Sequence, residues 1–126
     1  MVCLLSLTVS LGAQEKIDKK NLVVKEWILD VKTNKKLLDH VTTYNEDGKK
    51  IEEIEYGSSG QKWRKRFEYG EDGRVSREMV YDEHNTLVNY KKFDYNEFGK
   101  KETQYTYDVQ GKLQTVKSFE YIVQDA

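Results

Sequence analysis

The feature that most constrains the fold of this chain is a tyrosine that recurs at nearly constant spacing. Successive members of the series are 12, 13, 12, 14, 12 and 14 residues apart. The series is Tyr44, Tyr56, Tyr69, Tyr81, Tyr95, Tyr107 and Tyr121. Self-similarity at a regular period indicates a repeat architecture, and this period is typical of short antiparallel strands joined by turns.

A four-residue turn segment follows each of the first six tyrosines. The segments are 45–48, 57–60, 70–73, 82–85, 96–99 and 108–111, and their fourth residues are Gly48, Gly60, Gly73, Asn85, Gly99 and Gly111. Glycine and asparagine tolerate a left-handed backbone, and Asn or Asp at the first position can close an Asx-turn. Each unit is therefore predicted to be a hairpin turn followed by a strand of about eight or nine residues.

Polar and apolar side chains alternate between the turns, which favours strands over helices. The residues predicted to share a face with a tyrosine are Trp63, Lys65 and Phe67; Val75, Arg77 and Met79; Leu87, Asn89, Lys91 and Phe93; and Leu113, Thr115, Lys117 and Phe119. A period of two with one mostly polar face is typical of an antiparallel sheet. Ile51 and Ile54 have opposite parity, so a bulge is predicted in the strand 49–56.

Upstream of the repeats, the segment 22–31 (LVVKEWILDV) is compatible with two structures. Its apolar residues fit one face of a helix, and the same run fits a strand that is buried on both sides. A turn at 32–35 and a strand at 36–44 favour a hairpin here. With 22–31 as a strand, residues 22–126 form a single β-repeat domain of about eight strands in meander order, after a flexible leader at 14–21.

The tyrosine-bearing face decides between an open and a closed sheet. Four positions before the tyrosines lie mostly cations, among them Lys65, Arg77, Lys91 and Lys117. A small closed barrel would bury these cations without partners, which costs several kcal/mol for each of them. We therefore expect an all-β antiparallel meander that forms an open twisted sheet or a half-barrel. At its ends, tyrosine rings are expected to cover the glycine of an adjacent turn.

The first 13 residues are predicted to be the remnant of a signal peptide. Residues 2–13 (VCLLSLTVSLGA) are uncharged, end in small residues and give way abruptly to a charged segment. Such a stretch is typical of a secretory signal, and a buried first strand is the alternative. Export predicts a secreted, periplasmic or cell-envelope protein, and cleavage after Ala13 would remove Cys3, the only cysteine.

Composition excludes several broad classes of protein. The net charge is -1 and the sequence pI about 6.2, which argues against a nucleic-acid binder with clustered cations. No apolar run reaches the roughly 18 residues that a membrane-spanning helix needs. A single cysteine cannot form an internal disulfide, and an aromatic content of 12% is too high for a disordered chain.

An aromatic and cationic set on the tyrosine-bearing face is the candidate binding site. Its members are Trp63, Lys65, Phe67, Arg77, Lys91, Phe93 and Lys117. Aromatic rings can stack on sugars or on a partner's side chains, and the cations can receive an acidic glycan or an anionic protein surface. The competing interpretation is structural, with the rings as cross-strand pairs and the lysines as charges that prevent aggregation.

Signals for catalysis and metal binding are weak. The two histidines, His40 and His84, lack the spacing of zinc ligands, and the acidic turns lack the oxygen density of calcium loops. No nucleotide-binding motif is present, so neither a cofactor nor a metal is predicted. The carboxylates Glu52, Glu53 and Glu55 leave a small hydrolase as a third hypothesis.

Three segments share the pattern Tyr-Asn/Asp-x-x-Gly-Lys: YNEDGKK at 44–50, YNEFGKK at 95–101 and YDVQGK at 107–112. This unit resembles the YD repeats of Rhs-type exported proteins. It is also similar to the tyrosine-rich, MORN-like repeats of uncharacterised exported bacterial proteins. The resemblance covers residues 44–121 and implies β-hairpin repeats, and no catalytic residue carries over from either family.

The sequence thus predicts an exported, non-enzymatic β-repeat binding module that acts through its aromatic and cationic face on a glycan or a protein partner. The alternative is a structural or assembly protein that self-associates as a homo-oligomer, through its sheet edges or its aromatic face. Neither hypothesis involves nucleic acid or a membrane span.

Overall fold

The computed structural model describes residues 17–125 of the chain. The predicted signal segment at 1–13 lies outside these residues, as does the part of the predicted leader at 14–16. The described strands are β1 (Val23–Asp30), β2 (Lys35–Tyr44), β3 (Lys50–Gly57), β4 (Gly60–Tyr69), β5 (Val75–Tyr81), β6 (Leu87–Tyr95), β7 (Lys101–Tyr107) and β8 (Leu113–Ser118). They form one antiparallel sheet in the order β1 to β8. The predicted all-β meander is confirmed, and the ambiguous segment 22–31 is a strand.

The turns adopt the backbone that the sequence predicts. Their fourth residues have positive φ angles of 74° at Gly48, 105° at Gly60, 79° at Gly73, 60° at Asn85, 76° at Gly99 and 83° at Gly111. The Asn45 side-chain oxygen accepts hydrogen bonds from the backbone N–H groups of Asp47 and Lys49, at 2.9 and 3.0 Å. The same Asx-turn recurs at Asp82, Asn96 and Asp108.

Each hairpin that follows a repeat tyrosine contains one β-bulge. Tyr44 pairs with Lys50 and Thr43 pairs with Glu52, so Ile51 is an extra residue in β3. This is the bulge predicted in the strand 49–56. The extra residue always lies directly after the partner of the tyrosine, at Ile51, Lys62, Ser76, Val88, Glu102 and Gln114.

These bulges place successive repeat tyrosines on opposite faces of the sheet. Directly paired residues of neighbouring strands project to the same face of the sheet. One extra residue in a strand shifts the alternation, so every side chain beyond it lies on the face opposite to the one expected without the bulge. The tyrosines at 44, 69 and 95 therefore lie on one face, and those at 56, 81 and 107 on the other. The prediction of a single tyrosine-bearing face is wrong. For the same reason Val75 lies on the same face as Tyr69, and not on the face of Met79 as predicted.

Two faces and one end of the sheet can now be defined. The face of Tyr69 also carries Phe67 and Phe93, and we refer to it as the phenylalanine face. The opposite face carries Arg64, Arg66 and Arg77, and we refer to it as the arginine face. The end of the sheet at which the turns 45–48, 70–73 and 96–99 lie is named the Tyr44 end.

The sheet is a single layer with almost no core. Among residues 17–125, only Phe93 and Thr42 are buried, each with 8% of its surface exposed. The strands β1 and β8 each pair with one neighbour only, so the described sheet is open, as predicted, and not closed into a barrel. Because little apolar surface is buried, the fold depends on its backbone ladders and on cross-strand side-chain pairs.

A further turn precedes β1, and the sequence pattern does not predict it. The Asp18 side chain accepts a hydrogen bond of 2.9 Å from the backbone two residues further on, and Asn21 has a φ of 53°. The Asn21 N–H donates to the Asn45 carbonyl at 2.9 Å, which attaches this turn to the first repeat turn. Ile17 therefore lies where the other units carry a tyrosine, six residues before the first paired residue of β1, Val23.

Candidate functional site

On the phenylalanine face, repeat tyrosines bind the backbone of the preceding strand. The Tyr69 hydroxyl donates to the Lys50 carbonyl at 2.5 Å, and the Tyr95 hydroxyl donates to the Val75 carbonyl at 2.6 Å. Both acceptors lie beside a bulge, where the ladder is interrupted. Burial raises the pKa of Tyr69 and of Tyr95 above the usual 10.0. The two tyrosines therefore satisfy backbone groups of the neighbouring strand.

Cations cover the turn glycines at the Tyr44 end. The Lys49 ammonium lies 5.3 Å from the centre of the Tyr69 ring and donates to the Gly73 carbonyl at 2.7 Å. In the next unit Arg74 approaches Gly99, to within 2.9 Å of where a Cβ would lie. The expectation that tyrosine rings cover these glycines is wrong, because the cation of the preceding turn lies there instead.

Six of the seven predicted binding residues share the phenylalanine face. They are Trp63, Lys65 and Phe67 on β4, Lys91 and Phe93 on β6, and Lys117 on β8. Arg77 lies on the arginine face, where its guanidinium donates to the Glu68 carboxylate at 3.0 and 3.1 Å. The prediction that Arg77 belongs with the other six is wrong, because its strand is shifted by the bulge at Ser76.

On β4, the phenylalanine face combines aromatic, cationic and acidic groups. The Lys65 ammonium lies 4.9 Å from the Trp63 ring centre and 3.8 Å from the Glu78 carboxylate. The Trp63 indole N–H donates to the Glu55 carboxylate at 2.9 Å. Each charge in this part of the face thus has an opposite charge or a polar partner beside it.

Ammonium groups also cover the two phenylalanine rings of the predicted site. Lys50 lies 5.1 Å from the ring centre of Phe67, and Lys101 lies 4.4 Å from that of Phe93. A lysine stem over a ring removes apolar surface from water while its charge stays solvated. These rings are therefore already occupied and offer little free area for stacking on a sugar.

Lysines outnumber acids on the phenylalanine face over β6 to β8. At the register-paired positions of these strands they are Lys91, Lys101 and Lys117, which we name the lysine patch. Phe93 pairs with Gln104, and Gln104 pairs with Lys117, so an aromatic and an amide lie inside the patch. One acid borders the patch, because Glu78 on β5 pairs with Lys91 while its carboxylate contacts Lys65. A carboxylate also lies within the patch, because Glu102, the extra residue of the β7 bulge, is two positions before Gln104 and shares its face. The face is thus mixed in charge over β3 to β5, and over β6 to β8 it carries three lysines and one carboxylate.

The arginine face carries a second network that the sequence did not reveal. The rings of Tyr90 and Tyr107 are stacked at 5.1 Å with an interplanar angle of 12°. The Arg77 guanidinium lies 5.7 Å from the Tyr90 ring centre. Tyr90 lies outside the tyrosine period, and its pairing with Tyr107 is visible only once the register is known.

The carboxylates considered for a hydrolase take part in separate contacts. Glu52 lies on the arginine face and accepts hydrogen bonds from Arg64 and Arg66, at 3.1 and 3.2 Å. Glu53 lies on the opposite face and binds the Lys50 ammonium at 2.9 Å. The sheet therefore separates Glu52 from the other two carboxylates of the predicted set.

Two shallow grooves on the described surface lie at turns. One of about 470 Å³ borders the turn 45–48 and Asn21, and another of about 430 Å³ borders the turn 70–73 with Phe93 and Tyr95. Within residues 17–125, no cluster of three His, Cys, Asp or Glu side chains is arranged to hold a metal ion. The same residues include no helix with the length and apolarity needed to span a membrane.

Comparison with known proteins returns no match, either to a protein-family model or to a curated protein. The resemblance to YD and MORN-like repeats therefore stays a prediction from the sequence pattern. The charges and contacts on the two faces of the sheet are the observations that bear on the function of the chain.

Proposed function

We propose that this protein is a non-enzymatic β-repeat binding module, exported from the cell, whose lysine patch takes up an acidic segment of a protein partner. The observation that carries the proposal is the separation of charge along the phenylalanine face. On β4 and β5, Lys65 has the Glu78 carboxylate beside it at 3.8 Å, whereas β6 to β8 carry three lysines on this face and a single carboxylate, that of Glu102.

A protein partner is supported over a glycan by the state of the aromatic rings. Lys101 covers Phe93 and Lys50 covers Phe67, so a sugar would have to displace an ammonium group before it could stack. An extended acidic segment needs no ring. It can cross the strands and place carboxylates near Lys91 and Lys117, which lie two strands, or about 10 Å, apart.

The proposal is tested with poly-L-glutamate and chondroitin sulfate as defined acidic probes. Binding of poly-L-glutamate is measured by fluorescence anisotropy for the native chain and for Lys91→Glu and Lys117→Glu. Each substitution replaces an attraction with a repulsion, so we expect the affinity to fall by about tenfold for each. Because exposed charges are screened, the affinity should also fall as salt is raised.

The matched control is Lys92→Glu. Lys92 is the neighbour of Lys91 and lies on the arginine face, so this variant makes the same change of charge on the other side of the sheet. Equal losses in Lys91→Glu and Lys92→Glu would contradict a site on the phenylalanine face. Chondroitin sulfate that binds more tightly than poly-L-glutamate, with the same dependence on Lys91, would assign the patch to an acidic glycan instead.

Self-association is the second candidate function, and one specific observation favours it. The edge strand β1 exposes apolar side chains, including Trp27 at 47% and Leu29 at 58% of their surface. Large exposed apolar side chains on an edge strand mark a contact surface.

A further inference from the structure

Both edge strands expose apolar side chains and are unpaired on their outer side within the described residues. β1 exposes Ile28 at 52% and Leu29 at 58% of their surface, and β8 exposes Val116 at 54%. Edge strands are templates for pairing with another chain, and proteins normally blunt them with charges, prolines or covering segments. The chain contains no proline, and the described edges are not covered by another element.

We propose that β8 of one copy pairs with β1 of the next copy, so that the sheet continues head-to-tail from molecule to molecule. The occupant of each edge is thus a second copy of this chain. The inference deepens the second candidate function, self-association through the edge strands, and does not rest on the lysine patch.

Strand direction permits this pairing. Neighbouring strands of the meander are antiparallel throughout, so β1 and β8 run in opposite directions. A copy that is translated along the sheet therefore presents its β1 antiparallel to β8. The turn 18–21, with its Asx hydrogen bond and left-handed Asn21, begins β1 in the same way that the repeat turns begin the later strands.

The repeat also specifies the register. Tyr69 pairs with Val75, the residue six positions after it, and Ile17 and Val23 have the same spacing. Tyr121 of a neighbouring copy therefore takes the position of Ile17, opposite Val23. Tyr121 already makes the contact of the other units, because its hydroxyl donates to the Lys101 carbonyl at 2.6 Å.

This register makes the two edges complementary in charge. Within the chain, Glu68 pairs with Arg77 and forms an ion pair of 3.0 Å. The equivalent residues across the junction are Glu120 of one copy and Lys25 of the next. The 3.8 Å contact between Lys65 and Glu78 likewise has its equivalent in Lys117 and Glu26, again of opposite charge.

The same register brings apolar side chains together. Arg64 pairs with Tyr81 within the chain, and the equivalent residues at the junction are Val116 and Leu29. Both side chains are more than half exposed in the single chain, so the junction would remove apolar surface from water on each side. Because the contact is heterologous and uses different edges, it does not close at a dimer, and each added copy presents a free edge to a further one.

Analytical ultracentrifugation of the full chain over about 1 to 200 μM tests the proposal, across the range in which weak interfaces associate. We expect association that continues beyond the dimer, and Val116→Lys should weaken it by about tenfold, since it puts a charge into an apolar pair. Val109→Lys is the matched control, because Val109 is 56% exposed but lies in a turn. Circular dichroism verifies that both variants keep the sheet.

A charge exchange tests the register itself. Glu120→Lys and Lys25→Glu should each weaken association by about fivefold to tenfold, since each places like charges opposite one another. An equimolar mixture of the two variants should restore it, because junctions that join opposite charges can then form. A fold defect in either variant would not be repaired by mixing.

Three results would overturn the proposal. One is a native chain that stays monomeric over the whole concentration range. Another is association that Val116→Lys and Val109→Lys affect equally, which would place the contact away from β8. The third is a failure of the mixture of Glu120→Lys and Lys25→Glu to restore association, as a dimer built from two copies of β1 would show.

Discussion

At the scale of single residues, Tyr69, Tyr95 and Tyr121 bind backbone carbonyls that lie beside the bulges. A bulge leaves a carbonyl outside the regular ladder, and a buried carbonyl without a partner is costly. The hydroxyls of Tyr69 and Tyr95 bind two such carbonyls, and a cation from the preceding turn lies over each ring. The tyrosine of the repeat is thus part of the backbone's hydrogen bonding as much as it is an apolar side chain.

Alkaline pH should destabilise the sheet through these hydroxyls. Burial raises the pKa of Tyr69 and Tyr95 above 10.0, so the unfolded chain loses these protons first as the pH rises. Their contribution to the free energy of unfolding is complete below pH 10.0 and is lost as the pH rises through the raised pKa values. Urea unfolding between pH 8 and pH 11 (roughly the tyrosine range) measures this decline.

One double variant isolates the contribution of these two tyrosines to the alkaline decline. Tyr69→Phe with Tyr95→Phe should lower the free energy of unfolding at neutral pH by about 1 kcal/mol for each lost hydrogen bond. The double variant should also show a shallower alkaline decline than the native chain. An unchanged slope would contradict this origin of the pH dependence.

At the scale of elements, the repeating unit of this structure is two strands and not one. Each bulge reverses the parity, so a strand and its successor present their repeat tyrosines on opposite faces. The contacts of Tyr69 are repeated by Tyr95, 26 residues later, and not by Tyr81. The 12- to 14-residue period of the sequence is therefore half of the structural period.

Deletion of whole units distinguishes the two periods. Removal of residues 70–95 joins Tyr69 to Asn96 and keeps every later strand on its own face. Removal of residues 70–81 joins Tyr69 to Asp82. In every later strand, the side chains of one face then lie on the other. We expect the longer deletion to unfold cooperatively and to be about 2 kcal/mol more stable than the shorter one, because the shorter one places mismatched side chains opposite each other across the new junction, and each cross-strand pair contributes about 0.2 to 1 kcal/mol.

Chemical denaturation followed by circular dichroism compares the two deletions directly. The comparison is demanding, because the deletion that removes more of the chain is expected to be the more stable protein. Equal stability, or greater stability of the chain that lacks only residues 70–81, would show that one strand is a sufficient unit.

The sequence reveals the strands and turns because their signals are local. Gly48 and Asn85 indicate a left-handed residue from their own chemistry, and the opposite parity of Ile51 and Ile54 indicates a bulge. The face on which a side chain lies depends on the alternation counted from the start of the sheet. Each bulge that the count misses assigns all later side chains to the wrong face. The sequence pattern misplaces Arg77 for this reason, whereas the other six site residues lie on strands that share one parity.

At the scale of the whole molecule, the absence of a core sets the thermodynamics. Phe93 and Thr42 are the only buried residues of the described chain, each 8% exposed. Unfolding therefore exposes little new apolar surface, and apolar exposure is the source of the heat-capacity change. The charged and aromatic contacts of the two faces replace the interior that an ordinary domain of this size would have.

The heat-capacity change of unfolding should accordingly be small. Globular proteins show about 12 to 15 cal/mol/K per residue, and we expect a value clearly below this range. Differential scanning calorimetry over a series of pH values gives the slope of the unfolding enthalpy against the midpoint temperature. A slope within the ordinary range would contradict a single-layer sheet. The shallow slope would also flatten the curve of stability against temperature.

The two-strand period has a consequence for how genes of this kind change in length. A duplication or loss of one 12- to 14-residue segment would turn every later strand over and exchange the chemistry of the two faces downstream. A duplication of about two such segments, some 26 codons, keeps each face continuous. Repeat arrays built on this bulged turn should therefore differ from one another by even numbers of strands, and selection should remove the odd steps.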